Sequence, residues 1–459
     1  MSLKGCGLKN SVLPLILALA AIVALPSCGG SSRTSGTSGL KNRLLVSQSV
    51  SAATTFGNLV ILNGEYDTLT HIPPISAGRS PTMIAISPDR NIVAAFDSAS
   101  NSVFVASTTT EKQTAQVQLS AASFSLTVPT SSPVGYAAVP AAVVNGYNVD
   151  GAVVVMNLSA PGSVTSTIAV NQARTVIPNT NGTQLLVFSN DSDAITLITP
   201  ARAIPGTDLS CYDPNNPPPN AVCRFVTNSG FSRPVYAIVN GTTAYIFNCG
   251  FECGGTQQAS IQTLDLNSFA VGAPVPVNGA TDGLLSGNKL YVSGNGSPTG
   301  QLCSSLTNSI NPKTAATYCG TLDIVDLASM TDSYFNKPAT EIAIPDGYHN
   351  HMDMSINGQL FVGSANCQNI GDVNNPNGEV RGCLAIYNTN NGKLIVAGDN
   401  GDVTGLQSLT SRDIEFVAEG GNLRVYTTLT DGLLIDQFTP LGTIDVIGFV
   451  YDVKAIDFF

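Results

Sequence analysis

From Arg43 to the C-terminus the chain keeps returning to one short plan, and that repetition constrains its fold more than any other feature. An apolar strand ends in a turn holding Asn, Asp or Gly. A second strand rich in Val, Phe or Tyr follows, then a third that reads like Val-x-Val-x-Asp, then a fourth rich in Thr, Ile and Val. The clearest copy starts at Arg79 with Ser80-Pro81-Thr82-Met83-Ile84-Ala85-Ile86-Ser87-Pro88-Asp89-Arg90-Asn91, and continues with Ile92 to Phe96, Ser102 to Ala106 and Gln116 to Leu119. Other copies set a turn dipeptide between two apolar runs, as a hairpin requires. These are Asn240-Gly241 within Tyr236 to Asn248, Gly287-Asn288 within Leu284 to Ser293, Asn357-Gly358 within Met352 to Gly363, and Gly420-Gly421-Asn422 within Ile414 to Thr427. Four short strands per repeated unit make a propeller blade.

Innermost strands are expected to start near Met83, Phe124, Thr175, Val235, Gly283, Met352, Ile414 and Val453. The last has no strands after it. The N-terminal unit, Arg43 to Val46, Leu59 to Leu62 and Thr68 to Ile75, lacks an inner strand before it. Val453 to Phe459 is therefore predicted to complete the first blade and close the ring. The fold expected is an all-β, single β-propeller of four-stranded antiparallel blades, eight in number. Seven is the alternative, because the unit from Phe124 to Val170 is irregular, and a β-helix or a pair of β-sandwiches is the competing architecture.

The Arg79 segment resembles the YVTN-type (lactonase-like) β-propeller repeat, whose signature runs from a proline through an apolar strand to Ser-Pro-Asp-Gly and a Tyr-Val strand. Pro81 and Ser87-Pro88-Asp89 match, and Arg90 stands where that repeat has Gly. The resemblance implies a propeller, and it makes a lactonase-like hydrolase acting on a sugar lactone at the channel mouth one functional expectation.

Ahead of the repeats, Lys4 and Lys9 precede an apolar run from Val12 to Leu25, and Leu25-Pro26-Ser27-Cys28 closes it. A basic start, a short apolar stretch and a small residue before the cut read as an export signal, and the run is too short to span a bilayer. Leu25 to Cys28 resembles the lipobox of bacterial lipoproteins, in which the cysteine is acylated. That divides the chain into a signal peptide at 1–27, a flexible Gly/Ser-rich tether at 28–41 from lipidated Cys28, and the propeller at 42–459. Gly29 after the cysteine implies the outer membrane, again by resemblance to lipoprotein sorting. Charged residues are only 11% of the chain, and removing Lys4 and Lys9 takes the net charge from −11 to −13. So acidic a chain lacks the basic footprint that nucleic-acid binding needs.

Apart from Cys6 and Cys28, eight cysteines fall into four near neighbours: Cys211 and Cys223, Cys249 and Cys253, Cys303 and Cys319, Cys367 and Cys383. Local pairing in an oxidising compartment is expected. Zinc at Cys249-x-x-x-Cys253 would need further ligands, and the chain holds only His71, His349 and His351. Asp372 to Glu379 is oxygen-rich, but Pro376 takes the third ligand place of a calcium loop. No metal and no cofactor are expected. The segments enclosed by the last three pairs fall between the second and third strands of successive units, which puts three stapled loops on the face that also carries the connections between blades.

No catalytic motif is present: there is no Gly-x-Ser-x-Gly, Walker loop or His-Glu-x-x-His. Four arginines stand just before expected inner strands: Arg79, Arg174, Arg233 and Arg412. Equivalent positions would gather them at the channel mouth beside His349, His351 and Asp353, with His351 as a proton-switchable donor. Converging guanidiniums suit a carboxylate or phosphate. The expectation is a membrane-anchored, extracytoplasmic binding or scaffold protein, held by acyl chains on Cys28, whose partner is an envelope protein or a small anionic ligand.

Overall fold

The computed structural model describes residues 37–50, 57–212, 222–295, 320–337, 340–367, 370–371, 380–398, 400–428 and 442–457. Residues 1–28, the Asp213 to Pro219 segment, the Cys303 and Cys319 pair and the Asp372 to Glu379 loop lie outside them. Residues 36–459 form one unit, built among the described residues from eight radial antiparallel sheets, a β-propeller. The clearest blade, the second, runs outward as Pro81–Ile86, Ile92–Asp97, Ser102–Ser107 and Lys112–Gln118. The inner strands of blades 3 to 7 are Ser125–Thr127, Ala173–Pro178, Pro234–Asn240, Asp282–Ser286 and Tyr348–Met354.

Each blade buries both faces against its neighbours, so the core is divided into eight apolar clusters, one per interface. Leu186, Phe188 and Ile195 of blade 4, for example, meet Ala237, Ala244 and Ile246 of blade 5. Leu44, Val46 and Leu62 of blade 1 meet Leu409, Phe416 and Val425 of blade 8. A cluster between the first and last blades is what makes the ring closed.

Closure is as expected in kind, with a shift in place. The inner strand of blade 1 is Phe449–Ala455, pairing Leu44 with Ala455 and Val46 with Val453. Its end is fixed by charge. Arg43, 2% exposed, donates from Nε and Nη2 to the Asp457 carboxylate at 3.0 and 2.8 Å, and from Nη1 to Glu111 Oε1 at 2.7 Å. Asp457 lies two residues past the end of the strand, where its carboxylate meets Arg43. Arg90, in the left-handed conformation (φ 58°) where the related repeat has Gly, donates to the Asp457 carbonyl.

Two expectations need correction. The inner strand of blade 8 is Val403–Leu409, and Ile414–Glu419 is its second strand. Gly405 lets the Asp452 backbone of the neighbouring inner strand approach closely; a Cβ there would lie 2.9 Å from Asp452 Cα. The irregular unit from Phe124 is a five-stranded blade. Residues beyond blade 4's third strand cross back and lay Gly206–Asp208 parallel to Ser163–Ala169, on the outer edge of blade 3. The Cys211–Cys223 disulfide, Cα to Cα 5.6 Å, pins that excursion. Cys249–Cys253 and Cys367–Cys383 are likewise bonded, the first within the loop between the second and third strands of blade 5, the second tying the loop after blade 7's second strand to its third strand, Val380–Asn388.

Candidate functional site

Strand direction assigns the two faces. Loops joining second to third strands and connections between blades lie on one, the mouth face; the tight turns lie on the other. At the mouth end of several inner strands the ladder slips by one residue. The bulge falls between Pro81 and Met83, Ala173 and Thr175, Pro234 and Tyr236, His349 and His351, and Val403 and Gly405. A bulge at a rim leaves one residue unpaired and re-aims its side chain. In blade 4 that residue is Arg174.

A cavity of about 390 Å³ opens at this mouth, lined by Arg174, Arg233, Asp191, Phe188, Val235 and Tyr348 among others. It reaches across the channel, since Tyr348 begins the inner strand of blade 7 while Arg174 belongs to blade 4. The Arg174 guanidinium lies 5.4 Å from the Phe124 ring centroid and 5.9 Å from that of Tyr348. Both rings are partly exposed, and the cation lies within cation–π range of each. None of the hydrogen bonds or ion pairs among the described residues involves the Arg174 guanidinium. Arg233 sits in the left-handed region at φ 54°. Its Nη2 is 3.7 Å from Asp191 Oδ1, on a carboxylate 75% exposed to water, a pairing worth little. Its Nε is buried without a partner, while its backbone N–H donates to Asp193 at 2.9 Å.

The structure separates the four arginines. Arg174 is the bulged residue of its blade, Arg233 stands two residues before the bulge at Val235, and Arg79 three before the bulge at Thr82, so their positions are not equivalent. Arg79 is exposed and does not line the cavity. Arg412 lies on the opposite face, in the turn after Val403–Leu409, where it donates from Nη2 to Asp67 Oδ2 at 2.8 Å and from Nη1 to the Gly64 carbonyl at 2.6 Å. It follows the inner strand instead of preceding it.

The expected companions are also dispersed. His349 is buried between blades, its Nδ1 3.2 Å from Asn295 Oδ1, and burial pulls its pKa down to about 4. His351 falls further, to about 3, chiefly through burial and then through the nearby Lys454 charge. Asp353 accepts from Ser408 N and Met354 N, both at 2.8 Å, and burial raises its pKa. It belongs to the contact between the inner strands of blades 7 and 8. Glu415 beside it is fully buried and raised well above the ordinary range, chiefly by desolvation and then by the Asp353 charge.

Sequence reasoning missed two groups. Tyr348 reads as an ordinary strand residue until the ring is closed across the channel. Asp282, next to the cavity residue Thr281, is buried and pushed up to about 7 by desolvation. Only the expected start of an inner strand at Gly283 pointed near it. No group of three or more His, Cys, Asp or Glu among the described residues is arranged to hold a metal ion.

These features define an eight-bladed β-propeller with a cationic, aromatic-lined mouth. No family model and no curated protein matches the chain. Among solved structures it is similar to the dihydro-heme d1 dehydrogenase NirN, with 12% identity, coverage of 90% of this chain and 75% of that chain, and a TM-score of 0.56. It is also similar to the periplasmic gluconolactonase PpgL of Pseudomonas aeruginosa, with 12% identity, 90% and 98% coverage and a TM-score of 0.46. A 6-phosphogluconolactonase-like protein of Bacteroides uniformis gives 13%, 90% and 99%, and 0.47. Identities this low describe a shared fold, which many unrelated activities use.

Proposed function

We propose that the protein is an extracytoplasmic binding protein, anchored to the envelope through acyl chains on Cys28, that holds a small anionic molecule at the mouth of its propeller. One observation carries the reading. Arg174 lies within cation–π distance of the Phe124 and Tyr348 rings and keeps its guanidinium without a hydrogen-bonded or ion-paired protein partner among the described residues. An arginine already ordered by stacking has little entropy left to lose when a carboxylate or phosphate arrives, and its fork accepts such groups in paired, charge-assisted bonds. On a chain of net charge −11, the cavity gathers two guanidiniums against one lining carboxylate, Asp191.

Calorimetric titration with a panel of carboxylates and phosphates tests the site. A binder that Arg174→Ala weakens at least tenfold is the expected result, and a panel without any binder overturns the reading. The anchor is tested separately. Cys28→Ala should release the protein from outer-membrane fractions, and a variant that still carries acyl mass at its mature N-terminus refutes lipidation there.

A further inference from the structure

We infer that the mouth site reads a singly charged carboxylate carried on a flat ring, and that it discriminates against phosphate and dicarboxylates. The inference rests on the anion-site reading above and narrows it.

Charge comes first. The cavity is lined by two cations, Arg174 and Arg233, and by one carboxylate, Asp191. Asp193 sits at its lip, accepting the Arg233 backbone N–H. With Asp191 alone counted the site carries one net positive charge, and with Asp193 it carries none. A second negative charge on a ligand would therefore enter an environment that already holds acidic groups, and like charges brought together disfavour the complex. Arg233 is the compromised cation, with Asp191 at 3.7 Å. Arg174 has no acidic partner and is left to make the principal bond.

Shape comes second. Arg174 lies within 5.9 Å of both ring centroids and has no hydrogen-bonded protein partner among the described residues, so its guanidinium is available to a ligand that sits beside Phe124 and Tyr348. A carboxylate meeting the guanidinium in paired bonds brings the group that bears it close to those rings. Val235 and Tyr348 supply apolar and aromatic wall to the cavity beyond. Its volume of about 390 Å³ is at the small end of ligand cavities, roughly 300–1,000 Å³. A benzoate-sized ring stacks against such walls with the offset geometry aromatic faces prefer, whereas inorganic phosphate leaves the apolar wall uncovered.

The test is titration of the purified full-length protein with four probes: benzoate, succinate, inorganic phosphate and benzyl alcohol. Benzoate should bind, with succinate, phosphate and benzyl alcohol each at least tenfold weaker, and Arg174→Lys should lose most of the benzoate affinity because a point charge lacks the fork. If phosphate or succinate binds as tightly as benzoate and Arg174→Ala abolishes it, the anion site stands and this inference falls. Benzyl alcohol binding as tightly as benzoate overturns it too, since the charge is then not read. No binding by any probe at millimolar concentration removes both readings. The comparison among probes on the unaltered protein decides the matter even where an arginine variant fails to fold.

Discussion

Replacing Asp282 by Asn should make the protein more stable, and by an amount that grows with pH. In the folded protein burial lets this carboxyl keep its proton up to about pH 7, against an ordinary value of 3.8. The unfolded chain gives the proton up near the ordinary value. Between those two values folding takes up a proton, so the group's contribution is at its best below the unfolded pKa. It is eroded as pH rises toward the folded one, at about 1.4 kcal/mol for each pH unit. Over a window of about three pH units the loss approaches 4 kcal/mol, a large part of an ordinary domain's stability. Asn keeps an oxygen for the Gly283 N–H that this carboxylate accepts and carries no charge to desolvate. Urea unfolding of both proteins at pH 4, 5.5, 7 and 8.5 reads the effect. The advantage of the Asp282→Asn variant should be small at pH 4, rise through pH 5.5 and level off above pH 7. Using the difference between two proteins matters here, because His349 and His351 pull the other way. Their depressed values contribute stability that is present above about pH 6.5 and lost as pH falls through their folded values. A difference that stays within about 1 kcal/mol across the whole range would refute the buried-carboxyl account.

Ending the chain before Phe449 removes Val450, Val453 and Ala455 from the interface of the first and last blades, and the melting temperature should fall sharply or folding should fail; an unchanged value refutes closure by this strand. Arg43→Ala leaves Glu111 and Asp457 without their cation in a buried setting and should cost about 3–5 kcal/mol in urea unfolding, so a loss below about 1 kcal/mol contradicts the role given to it. Non-reducing peptide mapping should recover Cys211 with Cys223, Cys249 with Cys253 and Cys367 with Cys383, together with Cys303 and Cys319. Opening the Cys211–Cys223 or the Cys367–Cys383 loop by Ser substitution should cost about 3 kcal/mol in the chain-entropy model, and free thiols on freshly isolated protein contradict the set.

The blade plan was readable because a four-stranded unit repeats its turn chemistry, and Asn240-Gly241 and Asn357-Gly358 sit at hairpins where the structure has them, with Gly241 and Gly358 at φ 60° and 78°. Register within the plan was harder. Val403–Leu409 and Ile414–Glu419 are both short apolar strands around the turn that holds Arg412, and local pattern does not say which lies nearer the axis. That is settled by the close approach of Gly405 to Asp452, residues 47 positions apart in sequence. The fifth strand of blade 3 was hidden for a related reason: Gly206–Asp208 is three residues long and pairs with a neighbour's outer edge, so no periodicity within its own unit announces it.

The same distinction between local and long-range order governs the mouth. Sequence placed four arginines by counting from expected strand starts, but a side chain's direction at a rim is set by the bulge. Only Arg174 occupies that position, opposite the slip between Ala173 and Thr175. Arg233 reaches the cavity by another route, a left-handed backbone at φ 54°, which costs a non-glycine residue free energy. Arg412, displaced by one strand in the count, ends on the other face, where Asp67 and the Gly64 carbonyl absorb it. An arginine between two aromatic rings drawn from blades 3 and 7 therefore depends on three separate long-range facts: a bulge, a closed ring and an eight-fold spacing that sets blade 7 across the channel from blades 3 and 4. None of these is a property of the residues beside Arg174. It follows that the ring must be intact for the site to exist, so loss of the Phe449–Ala455 strand should abolish ligand binding at the mouth, although no residue of that strand lines the cavity.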